Sequence, residues 1–428
     1  MLNRLFKLQE NHTTLRTEVI AGMSAFLAMS YIIFVNPTIL ALTGMDKGAV
    51  FVATCLTAAF GSTLMGLLAN YPIALAPGMA LNTYFTYGVV LGSGYSWQVG
   101  LGAVFISGLI FLILSIFPIR EYIVNSIPKS LKIAIVAGIG LFLGMIGLKN
   151  AGVIDGNPPS LTLLHLHNPT SLLALLGFFL IIILERLKII GSIIISVLTI
   201  TVIGAFMGYV DFVGIFSLPP SLMPTLFQMD IKGAFNLGLI TIVFAFLFVD
   251  LFDNTGTLIA IAHRAGFMNK DGKLPRIGRV LIADSTAAIA SAMLGTSTTT
   301  SYLESAVGVK AGGRTGLMAV VVAIFFLAAL FLSPLAQSIP AFATAPAIIY
   351  IACLMARAFT EISWKDTTEY APALITAIAM PVTFSIAEGI SFGFISYTVI
   401  KIITGKFRDL NPAIIILSII FVCKNIFY

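Results

Sequence analysis

The stretch ITIVFAFLFVDLFDNTGTLIAIA (240–262) places two aspartates, Asp250 and Asp253, inside an apolar run long enough to cross a membrane. A third acid, Glu304, lies in the equally uncharged surroundings of LGTSTTTSYLESAVGV (294–309). A carboxylate in hydrocarbon costs several kcal/mol, so it normally faces a cavity and marks the path of a substrate, an ion or a proton. We therefore interpret these acids as functional.

The composition of the whole chain is that of a membrane protein. Its 428 residues are 58% hydrophobic and 10% charged, whereas soluble proteins carry about 25% charged residues. Apolar windows recur along the sequence and predict about fourteen spans, since each spanning helix needs roughly 20 apolar residues. The chain is therefore expected to be an all-α polytopic membrane protein.

The net charge of +6 does not predict nucleic-acid binding, because the basic residues follow the predicted membrane topology. With the N-terminus in the cytoplasm, the lysines and arginines fall on the inner side with few exceptions. Lys47, Lys149 and Lys232 fall outside, and Lys424 is undecided. This asymmetry is typical of an inserted helix bundle. The sequence thus predicts that the protein is embedded in the lipid bilayer and does not bind nucleic acid.

Cysteine and histidine usage predicts neither a disulfide framework nor a metal site. The three cysteines lie in apolar windows at unrelated spacing, and all four histidines fall in predicted loops. We expect no bound metal and no cofactor.

A constant offset of 220 residues aligns the two halves of the chain and indicates an internal repeat. It places Ser30 opposite Asp250 and Tyr84 opposite Glu304. Each half holds about seven spans, an odd number, so the second copy enters the membrane upside down, as in many secondary transporters. The windows that coincide at this offset are 25–27 with 245–247, 88–89 with 308–309, 99–117 with 316–333, and 189–208 with 411–427.

Two spans at matching positions of the halves are interrupted. In YPIALAPGMALNTYF (71–85), Pro77 and Gly78 break the helical pattern, and in MLGTSTTTSYLE (293–304) six consecutive Ser/Thr residues follow Gly295. Proline removes a backbone donor, and hydroxyl-bearing runs compete for helical hydrogen bonds. Each segment is predicted to be an extended stretch followed by a half-helix, which is tolerated at that depth inside protein or along a cavity.

Either interruption alone has an ordinary structural explanation. A Pro-Gly pair often marks a helix kink, and a Ser/Thr run often serves helix packing. Their pairing at matched repeat positions, with Asn82 in one and Glu304 in the other, favours a binding site near the midplane. Two further acids, Glu18 and Glu388, lie near span ends, where we expect them to be solvated.

At this point the chain resembles the purine permeases of the azaguanine-resistance (AzgA-like) branch of nucleobase–cation symporter family 2. The resemblance covers nearly the whole chain and rests on GMSAFLAMSYIIFVNP (22–37), ALAPGMALNTYF (74–85), FVDLFDNTGTL (248–258) and GTSTTTSYLESAVGV (295–309). It implies fourteen helices in seven-plus-seven inverted repeats, with short strands in the broken third and tenth spans. The implied domains are a core of 15–118 (spans 1–4) and 235–334 (spans 8–11), and a gate of 119–234 (spans 5–7) and 335–428 (spans 12–14).

The resemblance also implies a purine site. Asn82, Asp250 and Glu304 would contact the base, and Asp253 would assist nearby. The residues that would line the pocket are Ala80, Leu81, Thr298, Thr299, Thr300 and Ser301. The chemistry fits independently, since a purine presents N–H and C=O groups on a flat edge and a carboxylate accepts two parallel N–H bonds. The chain departs from the commoner Asp-Thr form of the motif by carrying Asn254.

The function that follows is uptake of hypoxanthine or guanine, with adenine as a further substrate, by proton symport and alternating access. Asp250, Glu304 and Asp253 are the expected proton-coupling residues, the coupling ion is H⁺, and no enzymatic chemistry is expected. The expected location is the cytoplasmic (inner) membrane of a bacterium. The sequence does not decide whether the protein forms a homodimer.

A uracil or xanthine permease and an anion carrier of the same fold are the alternative functions, although two acids disfavour an anion as the substrate. A channel or an intramembrane hydrolase is the rival from another class, and the loop positions of the histidines disfavour the hydrolase.

Overall fold

Most apolar runs of the chain are helical in the computed structural model, which describes residues 2–117, 127–155, 162–163, 168–235, 242–251, 254, 257–258, 261, 267 and 275–427. The helices of the first half are α1 (Leu2–Phe6), α2 (Leu15–Met29), α3 (Ile32–Leu40), α4 (Lys47–Leu64), α5 (Met79–Thr83), α6 (Trp97–Ile116), α7 (Lys129–Asn150), α8 (Pro169–Arg186) and α9 (Ser192–Phe206). The helices of the second half are α10 (Ile242–Leu251), α11 (Ile277–Leu294), α12 (Ser305–Lys310), α13 (Gly316–Ala329), α14 (Ser333–Ser338), α15 (Ala341–Ala356), α16 (Thr367–Thr383), α17 (Ile386–Ile403) and α18 (Pro412–Phe427).

Local sequence sets the ends of these helices. The side chains of Thr14, Asp46 and Ser96 accept backbone N–H groups in the first turns of α2, α4 and α6, which otherwise have no partner in their own helix. Helix α11 ends at Gly295, whose φ of 91° suits glycine and whose missing side chain leaves room for Thr225. Within the described ranges, nine helical segments are long and apolar enough to cross a membrane. The predicted polytopic helical fold is confirmed.

Both interrupted spans contain the predicted extended stretch. The first forms strand β1 (Leu75–Pro77) and the second forms strand β4 (Thr299–Ser301), and the two strands pair antiparallel. Helix α5 follows β1 directly and continues as a π-helix over Tyr84–Gly92, and α12 follows β4. A second two-stranded sheet, β2 (Ile154–Asp155) with β3 (Thr162–Leu163), lies between α7 and α8.

The helices form two packing groups. In the first, α4 packs against α11 and α13, α6 packs against α11, and α2 packs against α12 and α13. In the second, α7 and α15 pack together at the centre. Helix α7 also contacts the α16–α17 hairpin, and α15 contacts the α8–α9 hairpin. Each central helix thus contacts the hairpin that follows the other, as two copies related by a two-fold axis would.

This packing corrects one expectation from the repeat. The offset of 220 aligns 189–208 with 411–427, whereas the packing makes α9 equivalent to α17 and places α18 against α17. The offset fails here in part because the link between α7 and α8 (151–168) is longer than the link between α15 and α16 (357–366).

The expectation that Glu18 is solvated is wrong. Its side chain is fully buried, Oε1 accepts a hydrogen bond from the backbone N–H of Arg314 (2.8 Å), and Oε2 accepts one from Met318 (3.1 Å). Arg314 lies just before Thr315, the N-cap residue of α13, and Met318 lies in the first turn, where N–H groups have no partner four residues earlier in their own helix. Glu18 therefore joins the first turn of α2 to the first turn of α13.

Candidate functional site

The two broken spans meet where their strands pair. Leu75 lies opposite Ser301, and Pro77 lies opposite Thr299. The pairing extends one step further at one end, where the N–H of Gly78 donates to the carbonyl of Thr298 at 3.0 Å. We call this pairing of β1 with β4 the strand crossing. Four hydroxyl-bearing residues predicted to line the pocket are buried in it: Thr298, Thr299, Thr300 and Ser301.

Glycine at position 78 allows the strands to come this close. A side chain there would place its Cβ 2.9 Å from Oγ1 and Cγ2 of Thr300, which is closer than packed carbon atoms approach one another. The Pro77 ring has no N–H to leave unpaired at the end of the strand. The Pro-Gly pair therefore ends β1 and starts α5 in one step, so it is more than a helix kink.

Helix α5 carries three of the predicted pocket residues. Ala80, Leu81 and Asn82 are all buried. The Asn82 side-chain oxygen accepts a hydrogen bond from the Ser297 hydroxyl. This bond assigns the orientation of the amide and leaves the Nδ2 group to donate elsewhere. Nδ2 has no hydrogen-bond partner within the described part of the chain. Asn82 thus offers a buried donor beside the strand crossing.

The eighth span approaches the same crossing from α10. Asp250 is buried, and Asn254 lies one helical turn later. Oδ1 of Asn254 accepts a hydrogen bond from the backbone N–H of Ser301 at 3.4 Å. Asp250 and Asn254 are therefore on the span that contacts β4. Asp253, a predicted helper, lies outside the described residues.

Glu304 lies immediately before α12 and is half-buried. Its Oε1 accepts a hydrogen bond from the Tyr31 hydroxyl at 2.8 Å. Tyr31 itself is buried and lies between α2 and α3, where the first span changes direction. Sequence reasoning missed Tyr31, although it follows Ser30, the residue that the repeat places opposite Asp250.

Several polar atoms of the crossing are left without a hydrogen bond to protein. In addition to Asn82 Nδ2, these are Asn254 Nδ2, Thr299 Oγ1 and Ser301 Oγ, counting partners in the described ranges. Buried polar atoms are nearly always paired with protein or water, so their concentration here is typical of a site that receives a polar ligand. Donors, hydroxyls and the carboxylates of Asp250 and Glu304 together suit a flat molecule with N–H and C=O groups.

A neighbouring contact holds the hydroxyl run in place. Nδ2 of Asn36, in α3, donates to Thr54 Oγ1 at 2.7 Å and to Thr296 Oγ1 at 2.9 Å. All three side chains are fully buried. The start of the tenth span is thereby tied to the first and second spans.

Two buried phenylalanines lie on the third and eighth spans. Phe85 is buried and lies against Gly100, and Phe248 packs near Phe244 and Phe394. Phe248 therefore lies where the eighth span meets α17. Among the described residues, no group of three or more histidine, cysteine, aspartate or glutamate side chains could hold a metal ion.

A helical bundle with two broken spans meeting at a buried polar crossing defines a polytopic membrane protein, and the crossing is its candidate ligand site. The model of the permease family matches residues 16–392. The chain belongs to this family, and the resemblance seen in the motifs is confirmed.

Curated relatives match the chain along its whole length. The adenine permease AdeP of Escherichia coli (strain K12) is 50% identical, and the match covers 100% of this chain and 96% of that protein. The guanine/hypoxanthine permease PbuG of Bacillus subtilis (strain 168) is 44% identical, with 100% of each chain covered. Both are named as permeases of purine bases.

Solved structures share the fold at low sequence identity. The transmembrane domain of the cyanobacterial bicarbonate transporter BicA superposes with a TM-score of 0.67 at 17% identity, covering 86% of this chain and 97% of that one. The overall structure of SLC26A9 gives a TM-score of 0.65 at 12% identity, covering 91% of this chain and 66% of that one. These likenesses concern the fold alone.

Proposed function

We propose that this protein imports purine nucleobases across the cytoplasmic membrane by proton symport. The observation that carries the proposal is the set of buried donors and acceptors around the pairing of β1 with β4. Relatives named as adenine and guanine/hypoxanthine permeases support a purine as the ligand. Hypoxanthine and guanine are the substrates first expected from the motifs, and adenine joins them.

The purine would bind edge-on between the two half-helices and the eighth span. Asp250 and Glu304 accept its N–H groups, and Nδ2 of Asn82 donates to a carbonyl oxygen or ring nitrogen. The hydroxyls of Thr298, Thr299, Thr300 and Ser301 can both donate and accept, and the backbone at Ala80 and Leu81 closes the pocket. A ligand that satisfies these atoms avoids the free-energy cost of leaving buried polar groups unpaired.

Proton coupling would use the same carboxylates. Asp250 and Glu304 are the proposed carriers of the proton, and Asp253 is a proposed helper. A carboxylic acid exchanges a proton without covalent chemistry on the substrate, so the cycle requires no enzymatic step and no cofactor besides H⁺.

Alternating access would move the two packing groups against each other. We assign 15–118 and 235–334 to a core that carries the site, and 119–234 and 335–428 to a gate. The N-terminus would face the cytoplasm of a bacterial cell, in line with the distribution of basic residues. A homodimer is compatible with this arrangement.

Competition of radiolabelled hypoxanthine uptake by adenine, guanine, xanthine and uracil, with and without a protonophore, tests the proposal. We expect purines to compete and the protonophore to abolish accumulation. Asp250→Asn and Glu304→Gln should each abolish accumulation with the protein present in the membrane, whereas Asp211→Asn, on an exposed loop, should not. Uptake that only uracil inhibits would favour the uracil permease alternative, and normal uptake by either site variant would refute the assigned roles.

An anion carrier is the second candidate, because the bicarbonate transporter domain shares the fold. Two carboxylates at the strand crossing disfavour an anionic ligand by like-charge repulsion. Bicarbonate uptake without purine uptake would establish this alternative.

A further inference from the structure

The link from α9 to α10 begins with residues 207–229, which form no α-helix and which we call the strap. Hydrogen bonds hold its backbone to the first packing group. The N–H of Ser217 donates to the carbonyl of Phe331, just after α13, at 3.0 Å, and the N–H of Phe227 donates to the carbonyl of Met293, in the last turn of α11, at 2.8 Å. The strap therefore lies across one end of the bundle.

The side of the strap that faces the protein is well packed. Leu222 and Met229 pack against the hydrophobic core. Thr225 is fully buried, and its hydroxyl donates to the carbonyl of Leu294 at 3.1 Å. A surface segment that buries apolar side chains on one side normally turns polar side chains to water on the other.

The opposite side of the strap is apolar as well. Leu218 is 83% exposed and Phe216 is 74% exposed. Asp211 is the only charged residue of the strap. Exposed apolar surface on this scale marks contact with a protein or a membrane. The other strongly exposed apolar residues of the strap include Phe212, Val213, Ile215, Met223 and Phe227.

The exposed surface of the strap continues the outer face of α9, and this continuity favours lipid as the partner. Val202 and Phe206 lie one turn apart on this apolar helix, and both are exposed, Phe206 at 89%. In a membrane protein such a face contacts the acyl chains of the bilayer. Met207 and Tyr209 extend the exposed surface directly from Phe206 into the strap, and tyrosine is enriched where the membrane meets water.

The backbone of the strap limits how deep it can lie. Pro219, Pro220 and Pro224 oppose a continuous helix, so many backbone groups have no partner within the segment itself. Irregular backbone is not tolerated facing lipid in the hydrocarbon region, because its N–H and C=O groups find no water there. The backbone must therefore stay near the hydrated headgroups, while the apolar side chains can insert below them.

We propose that the strap is an interfacial lipid-binding segment, with its backbone at the headgroup level and its exposed apolar side chains among the acyl chains of one leaflet. The partner is the phospholipid bilayer itself. The strap joins α9 of the second packing group to α10 and is bonded to the first group, so the bound lipid lies over the connection between the two. Lipid binding of this kind does not depend on which substrate the protein transports.

Tryptophan fluorescence in proteoliposomes locates the strap. The two tryptophans of the chain, Trp97 and Trp364, are replaced by phenylalanine, and Phe216→Trp then supplies a single reporter in the full-length protein. The vesicles contain phosphatidylcholine or the same lipid brominated on its acyl chains. We expect bromine to quench this reporter by about half or more, because interfacial segments insert their apolar side chains about 5–10 Å into the boundary between headgroups and acyl chains. Iodide in the water should quench it weakly.

A control and a second reporter make the result specific. Lys232→Trp, at an exposed position just beyond the strap, should be quenched more by iodide than by bromine, and Leu218→Trp should behave like Phe216→Trp. Strong iodide quenching of both strap reporters without bromine quenching overturns the inference, because the strap then lies in water. Protection of both reporters from both quenchers also overturns it, since a second copy of the chain or another protein then covers the strap.

Discussion

The hydroxyl of Tyr31 donates a hydrogen bond to Oε1 of Glu304 over 2.8 Å, although 273 residues separate the two in sequence. The bond joins the change of direction in the first span to the start of the tenth. Because Tyr31 is buried and Glu304 is half-buried, the bond is shielded from water over much of its surface. Tyr31 therefore fixes the orientation of a carboxylate that we assign to purine binding.

Removal of this hydroxyl should weaken purine binding. Hydrogen bonds to charged groups contribute about 1.5–3 kcal/mol, and each 1.4 kcal/mol changes an equilibrium about tenfold. We expect Tyr31→Phe to raise the KM for hypoxanthine by about tenfold or more. Initial uptake rates over a range of hypoxanthine concentrations measure this. Tyr209→Phe, on an exposed loop, should leave KM unchanged, and an equal KM for both variants would contradict the positioning role.

Loss of the Glu18 carboxylate should destabilise the fold. A buried carboxylate that accepts from the amides of Arg314 and Met318 cannot be replaced by an amide without turning one donor towards another. We expect Glu18→Gln to lower the free energy of unfolding by about 1–3 kcal/mol. Denaturant unfolding in mixed micelles measures the difference. Glu10→Gln, which removes an exposed partner of Lys7, is the control. Similar losses of unfolding free energy in both variants would contradict the stabilising role of the Glu18 hydrogen bonds.

The side chain of Asp366 should make stability depend on pH in acid. Hydrogen bonds from Lys406 and Thr368 hold the pKa of Asp366 below its usual range, whereas an unfolded aspartate titrates near about 3.9. A group with a lowered folded pKa contributes stability that is complete above the unfolded pKa and is lost as pH falls towards the folded one. Asp366 caps α16, outside the spans.

We therefore expect the thermal midpoint of Asp366→Asn to lie below that of the unmodified protein by a constant amount from pH 7 to about pH 5. The gap should narrow below about pH 4, as aspartate protonates in the unfolded chain. Thermal unfolding scans in detergent across this pH range test whether the difference in midpoint narrows as the pH falls. The control Asp211→Asn should show no such narrowing. If the difference in midpoint for Asp366→Asn already disappears near about pH 6, a group other than Asp366 causes the pH dependence.

The sequence predicted the features that depend on local chemistry. Pro77-Gly78 and the hydroxyl run at 296–301 predicted extended backbone, and both form strands. The prediction succeeded because a ring without an N–H and a run of competing hydroxyls act on their own backbone. The roles of Asn82, Asp250 and Glu304 in binding stay predictions.

Features that depend on distant contacts could not be read from the sequence. The burial of Glu18 results from the approach of α13, which begins about 300 residues later. Tyr31 matters because of its hydrogen bond with Glu304, and the packing of separate spans brings these two residues together. The equivalence of α9 with α17 likewise depends on which helices pack together, and the offset of 220 residues does not predict it.

The contact between Tyr87 and Asn150 should control opening of the protein on one side of the membrane. The Tyr87 hydroxyl, at the end of the third span, donates to Oδ1 of Asn150, the last residue of α7, at 2.8 Å. In the proposed topology and domain division, this bond would join core to gate on the outer side. A typical bond contributes about 0.5–1.5 kcal/mol, so its removal should shift the ratio of outward-open to outward-closed protein by about two- to tenfold.

We expect Tyr87→Phe to lower the apparent KM for external hypoxanthine, because a larger share of the protein is ready to bind from outside. Asn150→Ala should have the same effect, and the double variant should add little to either, since both remove one bond. Tyr95→Phe, in the turn after the third span, is the matched control. Fully additive effects of Tyr87→Phe and Asn150→Ala on KM would show that the two side chains act separately. The bond between them would then not control opening.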